Sequence, residues 1–303
     1  MTGYTDPGYA LSLAQFGMPR QLGECGGWVL ERAIPESNLR DAMGCYPLFA
    51  CVDWSRLSSD LDAIGTRFVT LSVAVDPFSP LGETDLRQCF DVVLPFKEHF
   101  VVEVSGFDMA QVSKHHRYYA RRALRQVEVH VEADPLSRLD VWESLYATLI
   151  GRHGLRGIKA FSHDAFAAQF SVPGFMMFLA TSSEGPVGAH LWYIREGVAY
   201  SHLAAFSETG YQLGAAYALY WKAIQTFCGE LSDRVRWIDF GAGAGTNAAA
   251  EDGLTGFKRG WTSQTKTKYF CGRVFDPTHY AELVASTGNA GASYFPAYRA
   301  GEF

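Results

Sequence analysis

The sequence has no apolar stretch approaching 18 uninterrupted residues, and its first residues lack the basic segment and apolar run of a signal peptide. Its six cysteines are scattered over 303 residues, with no CxxC pair and no histidine at zinc-ligand spacing. These absences argue against a membrane span, a secreted disulfide framework and a cysteine-based zinc site. We therefore expect a soluble, cytoplasmic protein with reduced thiols and no bound metal.

The net charge of −6 and the pI of about 5.8 give the molecule no cationic field that would attract nucleic acid over its whole surface. Any binding of RNA or phosphate must therefore be local. The hydrophobic fraction of 48% and the charged fraction of 19% are typical of globular proteins. A chain of this length can bury a large core in one big domain or in two of ordinary size, and we favour two closely packed halves.

The first half alternates short β-rich segments with polar or helix-like ones between Trp28 and Ser105, and no repeat indicates a solenoid. This alternation predicts a mixed α/β module. We expect strands at WVLERAI, LFACV, RFVTLSVAV and HFVVEVS, and a helix at SRLSSDLDAIG. The boundary between the halves falls within residues 105–135, and we divide the chain into 1–110 and 111–303.

The second half predicts a more definite order of elements. LDVWESLYATLIGRHG and SHDAFAAQF carry apolar residues at helical spacing. FMMFLAT, VGAHLWYI and VAYSHLAAF follow as strands, joined by SSEGP and REG, which are short enough to require antiparallel hairpins. An amphipathic helix is then expected just beyond Gly210. After it come the strand VRWIDFG, a glycine-rich loop, a short helix near EDGLTGFKRG and a last strand around TKTKYFCGRV.

Two helices, three antiparallel strands, a helix, a strand, a helix and a strand form the element order of the GNAT acyltransferase fold. The run DFGAGAG at the end of VRWIDFG, followed by GLTGFKRGW, resembles the Fem-type peptidoglycan aminoacyltransferases and related proteins that fuse two GNAT-like modules. The basic segment KHHRYYARRALRQ resembles a helix at the matching place in that family. The resemblance covers about residues 95 to 275. It implies an α/β fold with a mixed sheet in tandem GNAT-like modules, with the transfer site in the second.

The reaction implied by the resemblance is attack by an amine on an activated acyl carbon, which passes through a tetrahedral oxyanion. No protein nucleophile is required, because positioning and preorganised electrostatics can supply most of the acceleration. The sequence agrees with this chemistry, since it contains no GxSxG elbow and no placed Cys and His pair.

A Phe-Lys pair lines the transfer site of Fem-type enzymes, and it matches Phe257-Lys258 here. The Lys258 ammonium is suited to stabilise the developing oxyanion, and a solvated surface lysine is the alternative interpretation. His202 lies on the strand that borders the acyl site in GNAT folds, where a histidine could accept the proton of the amine. Its alternative is a hydrogen-bonded core histidine.

The glycine-rich run 239–245 has three interpretations. An acidic residue and glycines after a strand also occur in the S-adenosylmethionine loop of methyltransferases, but only 58 residues follow Gly245, too few for the rest of a doubly wound sheet. The run is otherwise a plain turn that uses the positive φ open to glycine. In the third interpretation Gly241 and Gly243 let a substrate approach the backbone while Asp239 orients the amine.

The segment KHHRYYARRALRQ carries the densest cationic run of the chain. Lys114, Arg117, Arg121 and Arg125 recur at helical spacing and share a face with Tyr118, with no acid between them. A basic face with an aromatic side chain could bind the phosphates of a nucleotide-linked acceptor or of a tRNA acceptor end. The alternative is a solvated helix face whose cations pair with nearby carboxylates.

The loop SETGYQLGAA bears on the acyl donor. Users of acetyl-CoA carry Gln or Arg, two residues, Gly, one residue and then Gly or Ala, so that amides at a helix N-terminus hold the pyrophosphate. Here the spacing of Gly210 and Gly214 differs, and Glu208 adds a negative charge.

We therefore expect an amide-forming acyltransferase without a tightly bound cofactor that uses aminoacyl-tRNA in preference to acyl-CoA and a small-molecule amine as acceptor. An acyl-CoA-dependent N-acyltransferase and a catalytically silent GNAT-fold binding module are the alternatives.

Overall fold

The computed structural model describes residues 2–154, 157, 160–244 and 252–302. These residues form two compact units. The central unit comprises Lys97–Lys266 together with the residues up to Gly3, and the flanking unit comprises Tyr4–Phe96 and the residues from Thr267 onward.

The helices and strands follow one another in this order: α1 (Pro7–Ser12), β1 (Met18–Gln21), β2 (Trp28–Ala33), β3 (Arg40–Gly44), α2 (Leu57–Ile64), β4 (Thr70–Ala74), α3 (Glu83–Cys89), β5 (Val92–Glu103), α4 (Lys114–Ala123), β6 (Glu128–Val131), α5 (Leu139–His153), α6 (His163–Phe170), β7 (Phe175–Ser182), β8 (Gly185–Arg195), β9 (Val198–Phe206), α7 (Glu208–Leu213), α8 (Ala215–Cys228), β10 (Trp237–Asp239), α9 (Gly253–Arg259), β11 (Thr265–Val274) and α10 (Pro277–Thr287).

The strands of the central unit lie in the order β5-β10-β9-β8-β7-β6. β7, β8 and β9 form the antiparallel meander that the two short turns predict. β10 is antiparallel to β5 on one side and parallel to β9 on the other. The sheet is therefore mixed, as expected.

The parallel pair formed by β9 and β10 is short, because its pairing ends where Asp239 meets Tyr200. Beyond that point the chain stays with β5: Phe240 N–H donates to Phe100 O at 2.9 Å, and Phe100 N–H donates to Gly241 O at 3.1 Å. β9 continues to Phe206 and no longer pairs with the chain that follows β10. The two strands consequently part at their carboxyl ends, and the candidate site is built beside this parting.

Side chains alternate between the two faces of the sheet. On one face, Trp192 of β8 packs with Phe227 of α8 and Phe240, and α4 adds small buried side chains to the same core. On the other face, the Tyr193 hydroxyl donates to Gln169 O of α6 at 2.9 Å, and α5 and α6 supply a cluster of aromatic rings. Helices thus cover both faces of the central sheet.

The flanking unit has the strand order β1-β2-β3-β4-β11. β11 pairs antiparallel with β4, from Phe270↔Ala74 to Val274↔Thr70. The later residues also contribute Arg299, whose Nη2 lies 3.0 Å from the buried Asp41 Oδ1. The predicted division into 1–110 and 111–303 treats each module as one continuous segment, whereas this unit is assembled from both ends of the sequence.

Two local expectations were wrong. LFACV is not a strand: within it only Phe49 forms an isolated bridge, with Val75, because Val52 and Asp53 N–H both donate to Cys25 O instead of to a neighbouring strand. The amphipathic helix expected beyond Gly210 is interrupted at Gly214, whose φ of 72° separates α7 from α8. No helix among the described residues has the length and apolar character needed to cross a membrane.

Gly210 marks a close approach of α7 to β8. A Cβ at this position would overlap the backbone oxygen of Val187. We expect Gly210→Ala to lower the free energy of unfolding by about 3 kcal/mol, because two backbone segments would have to separate. Urea denaturation followed by circular dichroism measures this. Gly256→Ala is the control, since its Cβ would enter open space, and a similar loss in both variants would contradict the packing explanation.

Candidate active site

Lys258 lies in the last turn of α9 and is buried. The helix starts at its N-cap Asp252, whose Oδ1 accepts a hydrogen bond from Thr255 N–H at 2.7 Å. The Lys258 side chain is only 7% exposed, and its Nζ donates to Ala242 O at 2.6 Å. The alternative of a solvated surface lysine therefore does not hold.

The charge of Lys258 is tuned by its surroundings. Burial lowers the pKa of Lys258 to about 8, and the nearby positive charge of Lys97 acts in the same direction, whereas the negative charges of Asp239 and Asp252 oppose the decrease. At neutral pH the side chain is consequently an ammonium held in a poorly solvated place. Such a group interacts more strongly with a nearby anion than it would in water.

The segment after β10 brings backbone oxygens to two lysines. Lys258 Nζ binds Ala242 O, and Lys97 Nζ donates to Gly243 O at 3.0 Å. Gly241 has a φ of 73°, and a Cβ there would lie 3.2 Å from Lys258 Nζ. A Cβ at Gly243 would overlap Thr255 Oγ1. Both glycines are therefore needed for the loop to pack against α9, while Gly245 lies outside the described residues.

Asp239 is buried at the end of β10 and already has partners. His99 Nδ1 of β5 lies 2.8 Å from Asp239 Oδ2, and Gly241 N–H donates to Asp239 Oδ1 at 2.7 Å. The carboxylate thus fixes the loop and supplies negative charge near Lys258. Sequence reasoning missed His99, because the two residues are 140 positions apart and no local motif connects them.

His202 is not brought together with Lys258. Its Nε2 lies 3.3 Å from Gln169 Oε1, and its ring packs edge-on against Tyr193 on the face covered by α6. Burial lowers the pKa of His202 to about 3, so its imidazole is a weak base. The expected proton acceptor is therefore placed as the hydrogen-bonded core histidine of the alternative interpretation.

A different histidine lies on the Lys258 side. His190 stacks on Tyr220 of α8 with ring centroids 4.6 Å apart, and its Nε2 is 2.7 Å from Ser201 Oγ. Burial and then the positive charge of Lys258 lower the pKa of His190 well below its usual value. The ring of Phe257, the neighbour of Lys258, lies 5.0 Å from that of Tyr220, so α9 is on the α8 face of the sheet, opposite the face that contains His202.

Phe257, the neighbour of Lys258, belongs to a cluster of partly exposed and buried rings. Its ring lies edge-on to Tyr217, with centroids 5.1 Å apart, and 5.3 Å from His116. Trp261 lies edge-on beneath His116 at 4.9 Å. His116 was missed by sequence reasoning, because its position in a basic segment gives no sign that it turns inward.

The cationic run predicted from the sequence, called the basic stripe below, lies on the solvent side of α4. His116, Ala120 and Ala123 face the core, whereas Tyr118 is 62% exposed. Arg125 falls just beyond the end of the helix. In the described part of the chain, no carboxylate lies within ion-pair distance of the stripe's cations, which are Lys114, Arg117, Arg121, Arg122 and Arg125.

The structure therefore groups Phe257, Lys258, Asp239, Gly241 and Gly243 in one place and leaves His202 outside it. The stripe of α4 is connected to this group through His116, whose Nε2 lies 2.7 Å from Phe257 O.

Comparison with known proteins identifies the segment that carries this site. Residues 110–259 match the family described as acetyltransferase (GNAT) domain. This segment is a GNAT domain. It holds α4, α9 and the loop after β10, and thus every candidate site residue proposed from the sequence. Among curated proteins, no sequence matches the chain.

Solved structures match nearly the whole chain. FemX is 12% identical with a TM-score of 0.65, covering 91% of this chain and 93% of its own. The C-terminal DUF2156 domain of a putative lysylphosphatidylglycerol synthetase from Agrobacterium fabrum is 14% identical with a TM-score of 0.63, covering 92% and 91%. L-PGS from Bacillus licheniformis is 16% identical with a TM-score of 0.57, covering 95% and 98%. These likenesses confirm the expected Fem-type architecture around the GNAT domain.

The buried ammonium of the GNAT domain has a consequence for stability. At pH 7 the folded and unfolded states both carry the charge, so the folded state bears its full desolvation cost. Between about pH 8 and 10.5 the unfolded state binds more protons than the folded state, and stability rises with pH as that cost is removed.

We therefore expect Lys258→Met to raise the free energy of unfolding at pH 7 by up to about 3 kcal/mol, with a smaller gain at pH 10. Urea denaturation at both pH values measures the effect. Arg259→Met, at the exposed neighbouring position, is the control. A Lys258→Met variant that is clearly less stable at pH 7 would show that the bond to Ala242 O outweighs the burial of the charge.

Proposed function

We propose that the chain forms an amide by transferring an acyl or aminoacyl group from an activated donor to an amine, with the Lys258 ammonium stabilising the oxyanion. The observation that carries this proposal is a buried, charged lysine at the point where β9 and β10 part in a GNAT domain. A preorganised cation in such a place needs no reorganisation when charge develops on a substrate oxygen.

The reaction balances without a protein nucleophile. The amine nitrogen forms a bond to the acyl carbon, and the carbonyl electron pair moves onto oxygen beside Lys258. That pair re-forms the carbonyl as the bond to the leaving oxygen or sulfur breaks. The amine loses one proton and the leaving group gains one, so the protons balance. An ammonium has three donors, so Lys258 can retain Ala242 O while it binds the oxyanion.

Asp239 acts in this proposal through its charge and through the loop. Its carboxylate is occupied by His99 and by Gly241 N–H, and its negative charge favours the ammonium form of Lys258. His202 has no proton-transfer role here, because its imidazole is buried on the opposite face.

Aminoacyl-tRNA is the donor that the surface of α4 favours. Arg117 is half-exposed and the other cations of the stripe are exposed, no described carboxylate pairs with them, and the exposed ring of Tyr118 lies among them. Cations combined with an exposed aromatic ring are what binds single-stranded nucleic acid. One of the similar structures is named as a domain of a putative lysylphosphatidylglycerol synthetase, and that name supports an aminoacyl donor.

Acyl-CoA is the second candidate, because the matching family is described as acetyltransferases. The amides that would hold its pyrophosphate are poorly available. Ser207 Oγ already accepts from Gly210 N–H at 3.0 Å, and Glu208 stands in the first turn of α7. A carboxylate there repels a pyrophosphate.

We expect Lys258→Ala to reduce turnover about 100-fold or more, because it removes an oxyanion stabiliser. Turnover of the unchanged chain should decline as pH rises through about 8, where Lys258 loses its charge. Lys258→Arg should shift that decline to higher pH, since a guanidinium stays charged. The measurement is the loss of labelled amino acid from an aminoacyl-tRNA pool supplied with mixed small amines, with Arg259→Ala as control. Near-normal turnover in Lys258→Ala would refute the assignment.

Charge reversal at Arg117 and Arg121 tests the donor. We expect this double variant to bind tRNA more weakly and to reduce the slope of log affinity against log salt by about 0.7 to 0.9 for each phosphate that is no longer neutralised. Filter binding across a salt series measures the slope, and reversal at the exposed Arg56 and Arg87 of the flanking unit is the control with equal charge change. An unchanged slope, together with thermal stabilisation by acyl-CoA, would favour the second candidate.

A further inference from the structure

The last carbonyl groups of α9 lack the regular partner four residues further on, as at the end of every helix, and Gly260 N–H reaches Phe257 O only at 3.3 Å. The start of α4 supplies donors to them. Ser113 N–H donates to Gly260 O at 3.0 Å, and His116 Nε2 lies 2.7 Å from Phe257 O. Two residues at the N-terminus of α4 therefore cap the C-terminus of the helix that carries Lys258.

The hydrogen bonds of His116 fix its tautomer. Because the Phe257 carbonyl can only accept, Nε2 must carry the proton. Nδ1 lies 3.0 Å from Ser113 Oγ, and it accepts from that hydroxyl when the ring is neutral. Burial lowers the pKa of His116, and the adjacent His115 adds to this, whereas the bond to Phe257 opposes it. Both ring nitrogens thus have defined partners.

The ring of His116 is also held by its packing. It is 5% exposed and lies edge-on to Trp261. A Cβ at Gly260 would overlap the imidazole, so glycine is required at the end of α9 for the ring to fit. The His116 side chain consequently fills the space between the two helices and has little freedom to move.

From this geometry we infer that His116 is a positioning residue that holds the Phe257-Lys258 peptide, and with it the Lys258 ammonium, in a fixed place relative to the basic stripe of α4. The inference rests on the proposed function for its consequence. A donor bound by Arg117 and Arg121 and an oxyanion bound by Lys258 must keep a constant separation. The peptide group that His116 holds leads directly into Lys258.

The chain offers variants that separate the hydrogen bond from the ring. His116→Phe keeps a ring of similar size and removes both hydrogen bonds. His116→Gln loses the ring but can place an amide donor near the position of Nε2. Ile224→Val, a buried substitution of α8 in the same unit, is the control for a general loss of stability.

The position of Lys258 can be followed without any substrate. Lys258 and Lys268 are buried to nearly the same extent, 7% and 6%, and Lys268 lies in the flanking unit with its Nζ 2.8 Å from Pro47 O. Trace acetylation with isotopically labelled acetic anhydride, analysed by mass spectrometry, reports the accessibility of both amines. Lys268 serves as the internal reference for changes in the whole molecule.

We expect His116→Phe to accelerate labelling of Lys258 about 10-fold and to leave Lys268 unchanged, because removal of a hydrogen bond of about 1.4 kcal/mol corresponds to that factor. With aminoacyl-tRNA as substrate, kcat should fall by a similar factor while the donor KM changes less than about 2-fold. His116→Gln should reverse most of both effects, and Ile224→Val should alter neither ratio.

Labelling of Lys258 that stays at the wild-type rate in His116→Phe would overturn the inference. Equal acceleration of Lys258 and Lys268, or the same response in Ile224→Val, would also overturn it, because His116 would then act only on stability. These outcomes are independent of catalysis. Failure of the proposed function would instead appear as normal turnover in Lys258→Ala.

Discussion

An ammonium group removed from water needs oxygen atoms and negative charge close by, and much of the GNAT domain around Lys258 meets that requirement. Ala242 O accepts from Nζ, and Asp239 and Asp252 contribute their charges. Gly241 and Gly243 let the backbone come close enough to do so. These oxygen atoms and charges stabilise the buried Lys258 ammonium in the folded protein. In the proposed function the same ammonium binds the substrate oxyanion, so folding and the proposed chemistry depend on the same atoms.

The site also depends on where β10 stops following β9. Because the chain after Asp239 continues along β5, the loop that holds Lys258 is attached to one side of the parting and His190 with Ser201 to the other. Ser113 and His116, at the N-terminus of α4, cap the C-terminus of α9. A cationic surface, an aromatic cluster and a buried lysine are thereby connected through the imidazole of His116. A molecule of net charge −6 thus has a local cationic surface next to the candidate site.

The sequence predicts those parts of the fold that depend on short-range patterns. The turns SSEGP and REG require the meander, and the Phe257-Lys258 pair follows from a family resemblance. Pairings between distant residues could not be predicted: His116 meets Phe257 across 141 positions, and His99 meets Asp239 across 140. The pattern around His202 predicts a strand, but it does not predict on which face of the sheet the His202 side chain lies. LFACV has the composition of a strand, yet Val52 N–H at its end and Asp53 N–H just after it donate to Cys25 O and not to a neighbouring strand.

β11 returns to the flanking unit after the whole central unit has been made. Until the ribosome has synthesised Thr265–Val274, the edge of β4 that later pairs with Phe270 is unfilled, and closing that pairing joins residues about 200 positions apart. The central unit, by contrast, has all its strands, β5 to β10, once the chain has been synthesised as far as Asp239. During translation the nascent GNAT domain can therefore fold first, and the flanking sheet is completed only afterwards.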